Sequence, residues 1–145
     1  MINEMKPFEP QKVNRFLIEF NSPFVIPTYA VHKMSELKVV CVYNDGWANG
    51  GDLTIEMYET SEIPIASIIC KGLTENKSKQ TNTISFQLLE LNVVGDIIQR
   101  WEINAKIKDI AFGKYDWLND DLKMIEMNFG LAWDDRYRWL DNILK

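Results

Sequence analysis

The residues able to do chemistry are few and scattered. The chain has one histidine, His32, beside Lys33. Triad-type catalysis needs a base, most often His, to take the proton of a Ser or Cys nucleophile. Neither a Gly-x-Ser-x-Gly turn nor a cysteine elbow accompanies His32, so a surface or hydrogen-bonded histidine is expected. A single imidazole also excludes multi-histidine metal sites. Cys41 and Cys70 form no Cys-x-x-Cys pair. Zinc sites and disulfide frameworks want more cysteines at tighter spacing, so two free thiols are expected. Asp116, Asp120, Asp121 and Glu126 raise the question of calcium. An EF-hand loop needs oxygen ligands at alternate positions and a central Gly, whereas Leu118 stands third from Asp116 and no Gly follows. A turn-stabilising acidic cluster fits better. A hydrolase pair such as Asp116 and Asp121 depends on separation in space, and nothing in the sequence singles it out. Phosphate-cradling GxxxxGK[ST] and GxGxxG motifs are absent. No catalytic residue, cofactor or metal is assigned.

Charge narrows the classes further. Asp and Glu number 21 against 16 Lys and Arg, a net charge of −5. Tight nucleic-acid binding draws on a surplus of cations that displace counterions from phosphates; this chain has the opposite balance. Hydrophobic residues at 46% suffice for a packed core and argue against intrinsic disorder. The first residues carry no charged-then-apolar leader pattern, and no apolar run approaches the ~20 residues of a membrane helix. A soluble protein made in a cytoplasm, without membrane anchoring, is expected.

The elements that would position any site are mainly strands. Residues 1–12 carry Pro7 and Pro10 and read as an extended arm. Over 14–20, Phe16, Ile18 and Phe20 alternate with Arg15, Leu17 and Glu19, the period-two pattern of a strand with one buried face. Residues 38–43 form a short β-rich run. Residues 44–52 are dense in Asn, Asp and Gly, which tolerate positive φ, and read as a hairpin or long loop. Leu53, Ile55 and Met57 alternate again. Residues 61–72 are the helix candidate: Ser61 as N-cap, Pro64 in the first turn, Ile65, Ile68 and Ile69 on one face, and Gly72 just past the end. Strands are expected over 84–94, 99–107 and 123–133, with a polar loop over 74–83 and a turn-rich connection over 109–121. Residues 134–145 are expected to close with a short helix. The five tryptophans invite a sugar-stacking platform, but Trp101 and Trp133 fall on alternating apolar faces, where packing is their ordinary role. The class is mainly β (α+β): one domain spanning 1–145, a β-sandwich or barrel with one short helix, 134–145 forming a C-terminal extension.

Two regions resemble a known family. Asn14-Arg15-Phe16-Leu17-Ile18-Glu19-Phe20, followed by Ile26-Pro27-Thr28-Tyr29-Ala30-Val31, resembles the opening of the contractile phage tail tube proteins. The stretch from Trp101 to Asp116, with Asp120, Asp121, Phe129, Trp133 and Asp134, is similar to that family's closing strand, acidic turn and last strand. The resemblance implies a structural virion protein rather than an enzyme. It implies hexameric rings stacked into the inner tube of a contractile tail, with strands of all subunits joined in one β-barrel around a lumen and the helix outside. Implied partners are further copies of the chain, a tail sheath protein, a baseplate or tube initiator and a tape measure protein. DNA would pass without specific binding, in a particle assembled in the host bacterial cytoplasm. A baseplate tube initiator, a tail terminator ring and the tube of a DNA-free injection particle remain open within the same family.

On this reading Phe16, Tyr43, Asn44, Asp45, Trp47, Phe129 and Trp133 are the expected assembly contacts. Residues 39–52 are assigned to ring-to-ring contact and the helix to the sheath side. From another class, a small β-barrel ligand-binding module using its tryptophans is the alternative, distinguished by monomeric behaviour and ligand-quenched fluorescence.

Overall fold

The computed structural model describes residues 10–42, 46–49, 52–75, 83–130 and 136–140, with backbone alone for 39–42, 46–49 and 136–140. The elements run β1 (Phe16–Ser22), β2 (Val31–Met34), β3 (Val39–Val42), β4 (Gly46–Asn49), β5 (Leu53–Tyr58), α1 (Ile65–Glu75), β6 (Thr83–Leu91), β7 (Ile97–Ala111), β8 (Met124–Gly130) and β9 (Arg136–Leu140). The mainly β class with one short α-helix is what forms among the described residues.

The main sheet is antiparallel, in the order β1-β6-β7-β8-β5-β2, with β9 also on β7. β7 is the long spine. β6 covers one of its edges from Ile97 to Lys106. The other edge carries β8 over Lys106–Ala111 and β9 over Arg100–Asn104. The expected C-terminal helix is therefore a strand over 136–140: Tyr137 and Trp139 favour β structure, and the open edge of β7 beyond β8 supplies its hydrogen bonds. β3 and β4 form a separate hairpin that follows on from the β2–β5 ribbon. It accounts for part of the expected loop.

Alternation does the sorting. β5 buries Leu53, Ile55 and Met57, β8 buries Ile125, Met127 and Phe129, and β6 buries Ile84, Phe86 and Leu88. These meet Ile18, Phe20, Ile103 and Ala105 in one core. Each such side chain contributes about 1.5–3 kcal/mol of burial before entropy is subtracted. Phe20, Phe86 and Phe129 stack in a tilted series with centroids 5.5 and 5.8 Å apart.

α1 closes the apolar face through Ile65 and Ile69. It begins at Ile65 because the Glu59 carboxylate, not Ser61, caps it: Oε1 accepts from the Ile65 N–H at 2.6 Å and Oε2 from the Ala66 N–H at 3.0 Å. A carboxylate suits the unsatisfied, positive end of a helix. Gly72 does not end the helix; it lies inside it. An added Cβ would sit 2.8 Å from Phe24 Cβ and 2.9 Å from the Pro23 carbonyl oxygen, so glycine lets α1 touch the chain leaving β1.

The sheet does not close on itself. β1 and β2 end its strand path, and among the described residues β9 is paired on one side only; Phe16 and Met34 line the same cleft, so the sheet curls until the β1 and β2 edges approach at one end. α1 and residues 23–30 complete the core.

Candidate assembly surfaces

Among the described residues, the side chains able to do chemistry do not gather into a site. His32 lies on the polar side, stacked on Tyr58 at 4.2 Å, with Nε2 3.9 Å from Glu56 Oε1. Asp116 and Asp121 serve their own loop: Asp116 Oδ1 accepts from the Leu118 N–H at 3.0 Å, and the Asp121 N–H donates to Asn119 Oδ1 at 2.8 Å. Among the described residues no three of His, Cys, Asp or Glu are placed to hold a metal ion. Cys70 is a free, exposed thiol on α1. Among the described residues no helix is long and apolar enough to cross a membrane.

The first surface is the face of the sheet away from α1, polar over β5, β7 and β8, with Leu89 of β6 buried at 2% exposure beside Arg100. Antiparallel strands with one packed face leave the other polar, and here it is cross-linked by hydrogen bonds. Thr54 Oγ1 donates to Asn128 Oδ1 at 2.7 Å, and Asn128 Nδ2 donates to Asp109 Oδ1 at 2.7 Å and Glu126 Oε1 at 3.2 Å. Glu56 on this face also lies 3.6 Å from the Lys33 ammonium.

The second surface is the pair of margins. Beyond β1 on one side and β2 on the other, no further strand is paired among the described residues. Unpaired strand edges are templates for another chain.

The third is a cleft of 360 Å³ where the edges converge. Phe16, Met34, Leu37, Leu88 and Trp101 give it apolar walls, with Val13 beside them and Lys12, Arg15, Glu36 and Glu90 around it. Trp101 Nε1–H donates to Glu90 Oε2 at 2.7 Å, which fixes both side chains.

The fourth is the loop between β7 and β8. Gly113 turns the chain at φ +99°, and a Cβ there would meet the Met124 carbonyl oxygen at 2.9 Å. The Asp116 turn then lifts Trp117 and Leu118, 103% and 97% exposed, with Tyr115 and Leu122 beside them. The Lys123 ammonium holds Tyr115, 4.2 Å from its ring centre and 2.9 Å from its hydroxyl. Contiguous exposed apolar groups on an ordered loop mark a contact surface.

The expected contact residues divide. Phe16 lines the cleft. Phe129 is wholly buried and belongs to the core. Trp47 lies on β4 opposite Cys41, its side chain outside the description. Tyr43, Asn44, Asp45 and Trp133 lie outside the described residues, as does the end of the strand expected over 123–133. The sequence reading missed Trp117 and Leu118 as surface features. The signal was there: large apolar residues without periodicity inside a turn-rich segment.

No protein-family signature matches the sequence, and no curated protein matches it. Solved structures do. The chain is similar to one in the sheath–tube complex of an extracellular contractile injection system (PVC) in its extended state, at 13% identity and TM-score 0.60, covering 90% of this chain and 91% of that one. It is similar to a chain of the PVC sheath/tube terminator at 13% identity and TM-score 0.62, covering 92% and 98%. It is also similar to a chain of the anti-feeding prophage baseplate at 16% identity and TM-score 0.58, covering 92% and 97%. The chain has the fold found in the tube, terminator and baseplate assemblies of contractile injection systems.

Proposed function

We propose that the chain is a ring-forming subunit of the inner tube of a contractile tail or injection particle. The observation that carries this reading is the open, curled sheet, packed by α1 on one face and polar on the other, with both margins unpaired. Such a sheet is completed by copies of itself: the margin of one subunit pairs with that of the next, and the strands close into a barrel. The baseplate that holds a similar chain is described as six-fold symmetrised, and the proposed ring is six-membered.

In that ring the polar face lines the channel and α1 faces outward, toward a sheath. Glu19, Asp52, Glu56, Glu102, Asp109 and Glu126 give the polar face an acidic balance over Lys33, Arg100, Lys106 and Lys108. A polyanion passing through is repelled rather than held, so DNA travels without specific binding. Baseplate or initiator, tape measure and sheath proteins are the partners this placement implies. Whether the ring lies along, at the start or at the end of the tube is decided by what meets its two rims.

Size analysis and negative-stain microscopy of the purified chain test the reading. Rings or tubes forming as concentration rises support it. A monomer at every concentration and ionic strength overturns it.

A further inference from the structure

The cleft and the apolar loop sit at opposite ends of the same strand. Trp101 is on the cleft wall, and Ala111 ends β7 at the base of the loop. The ten residue steps of β-strand from Trp101 to Ala111 span about 33 Å. One end of the subunit therefore presents a knob and the other a hole.

We propose that Trp117 and Leu118 of one copy seat in the cleft beside Val13 and Trp101 of the copy stacked on it. This deepens the tube reading, on which it rests, by naming the contact that joins one ring to the next.

Three observations select a second copy as the occupant. The knob is apolar and held out by its own turn, with Trp117 103% exposed, the residue type that most often dominates interfaces. The hole is apolar, and Val13 at its margin is 97% exposed, so it is itself unsatisfied. Charge sets the orientation: Asp116, Asp120 and Asp121 flank the knob, and on the Val13 side of the cleft stand Lys12 and Arg15, while Glu36 and Glu90 line its other walls. A knob and hole on opposite ends make a heterologous contact, which repeats along an axis instead of ending at a dimer. The β2–β5 ribbon also runs into the β3–β4 hairpin at the end where Met34 meets the cleft, so the hairpin approaches the same junction.

The test uses the full chain with two exposed positions changed, Val13→Cys and Leu118→Cys, in a Cys41→Ser, Cys70→Ser background. Oxidation is expected to give a ladder of disulfide-linked chains only when both cysteines are present. Separately, Trp117→Ser with Leu118→Ser is expected to raise the concentration needed for tube formation by about tenfold or more, with single rings and the fold (by circular dichroism) retained. Lys12→Glu is expected to weaken stacking, and Asp120→Lys in the same chain to restore it.

Tubes that form normally in the double-serine variant, with no disulfide ladder, overturn the inference and leave the tube reading standing. So does a map of the tube in which the chain's own first residues fill the cleft. A ladder without rings supports the contact and sinks the tube reading. A monomer throughout overturns both.

Discussion

Gly72→Ala sets two physical effects against each other, and the structure decides between them. In a helix interior, alanine is favoured over glycine by about 0.8–1.0 kcal/mol. The new methyl, however, would stand 2.8 Å from Phe24 Cβ, 2.9 Å from the Pro23 carbonyl oxygen and 3.1 Å from Phe24 Cδ2. Carbon atoms settle at about 3.5–4.0 Å, so α1 and the 23–24 segment must part by roughly 0.7 Å there. Backbone and a Cβ cannot swing aside as a long side chain can. Phe24 is 4% exposed and packs on Phe20 at 5.6 Å, so its displacement passes into the aromatic series of the core. Overpacking costs about 1–3 kcal/mol; with rigid obstacles the upper half applies. The net loss is then about 1–2 kcal/mol. Urea denaturation should show a lower midpoint at unchanged m, and the thermal midpoint should fall by about 3–8 °C. Ser67→Ala, on the exposed side of α1, is the control and should be neutral or stabilising by a few tenths of a kcal/mol. If Gly72→Ala stabilises as much as that control, the helix does not approach β1's exit as described.

Other outcomes follow from single contacts. Glu59→Ala removes the acceptor for the first two N–H groups of α1 and should cost about 1–3 kcal/mol, with part restored in Glu59→Gln, read by denaturation and far-ultraviolet circular dichroism. Phe129→Ala should cost about 3–5 kcal/mol, and Phe129→Asp should abolish folding; a soluble Phe129→Asp variant that still forms rings would contradict its place in the core. Trp101→Phe keeps the ring in the cleft wall but deprives Glu90 of its donor. Because both groups are partly exposed, the loss should be about 1 kcal/mol, measured by urea denaturation.

Strands whose one face is buried were legible because period-two patterning and burial are the same fact seen twice. Leu53, Ile55 and Met57 of β5 point into the core as their alternation says, and so do the alternating apolar residues of β1, β6 and β8. Three features were not legible, each for a non-local reason. Ser61 resembles an N-cap, but Glu59 reaches the helix end first because its own N–H is tied to the Lys123 carbonyl oxygen at 2.9 Å, a contact across the chain. Gly72 looks like a terminator because a helix-breaking residue near the end of a pattern usually is one, whereas its role is set by Pro23 and Phe24. Residues 136–140 take strand form because β7 outruns β8, and pairing context overrides local propensity. As for the surfaces, Phe16 was placed on one of them by its position on β1, while Phe129 alternates into the core, and a sequence pattern alone does not separate buried from joined.

The two margins of the sheet are unlike, and that difference bears on how copies join. The Leu91 N–H donates to the Arg15 carbonyl oxygen at 3.0 Å, which sets the phase of the β1–β6 ladder. Arg15, Leu17 and Glu19 turn their backbone groups to β6, and Phe16, Ile18 and Phe20 turn theirs to the free edge. The register is unbroken from Phe16 to Phe20, so this edge is regular. Its outward-facing positions also carry core side chains. Evolution's usual guards, proline or lysine on the edge, are barred there, because either would empty the core. β2, in contrast, carries a register shift between Val31 and Lys33, and Lys33 lies on this margin beside Glu56. A β1-to-β1 join would be isologous and would stop at a dimer. A β1-to-β2 join is heterologous, uses each margin once per copy, and can turn until the last copy meets the first. On the proposed function, a regular β1 edge and a different β2 edge to receive it would let successive copies close a ring.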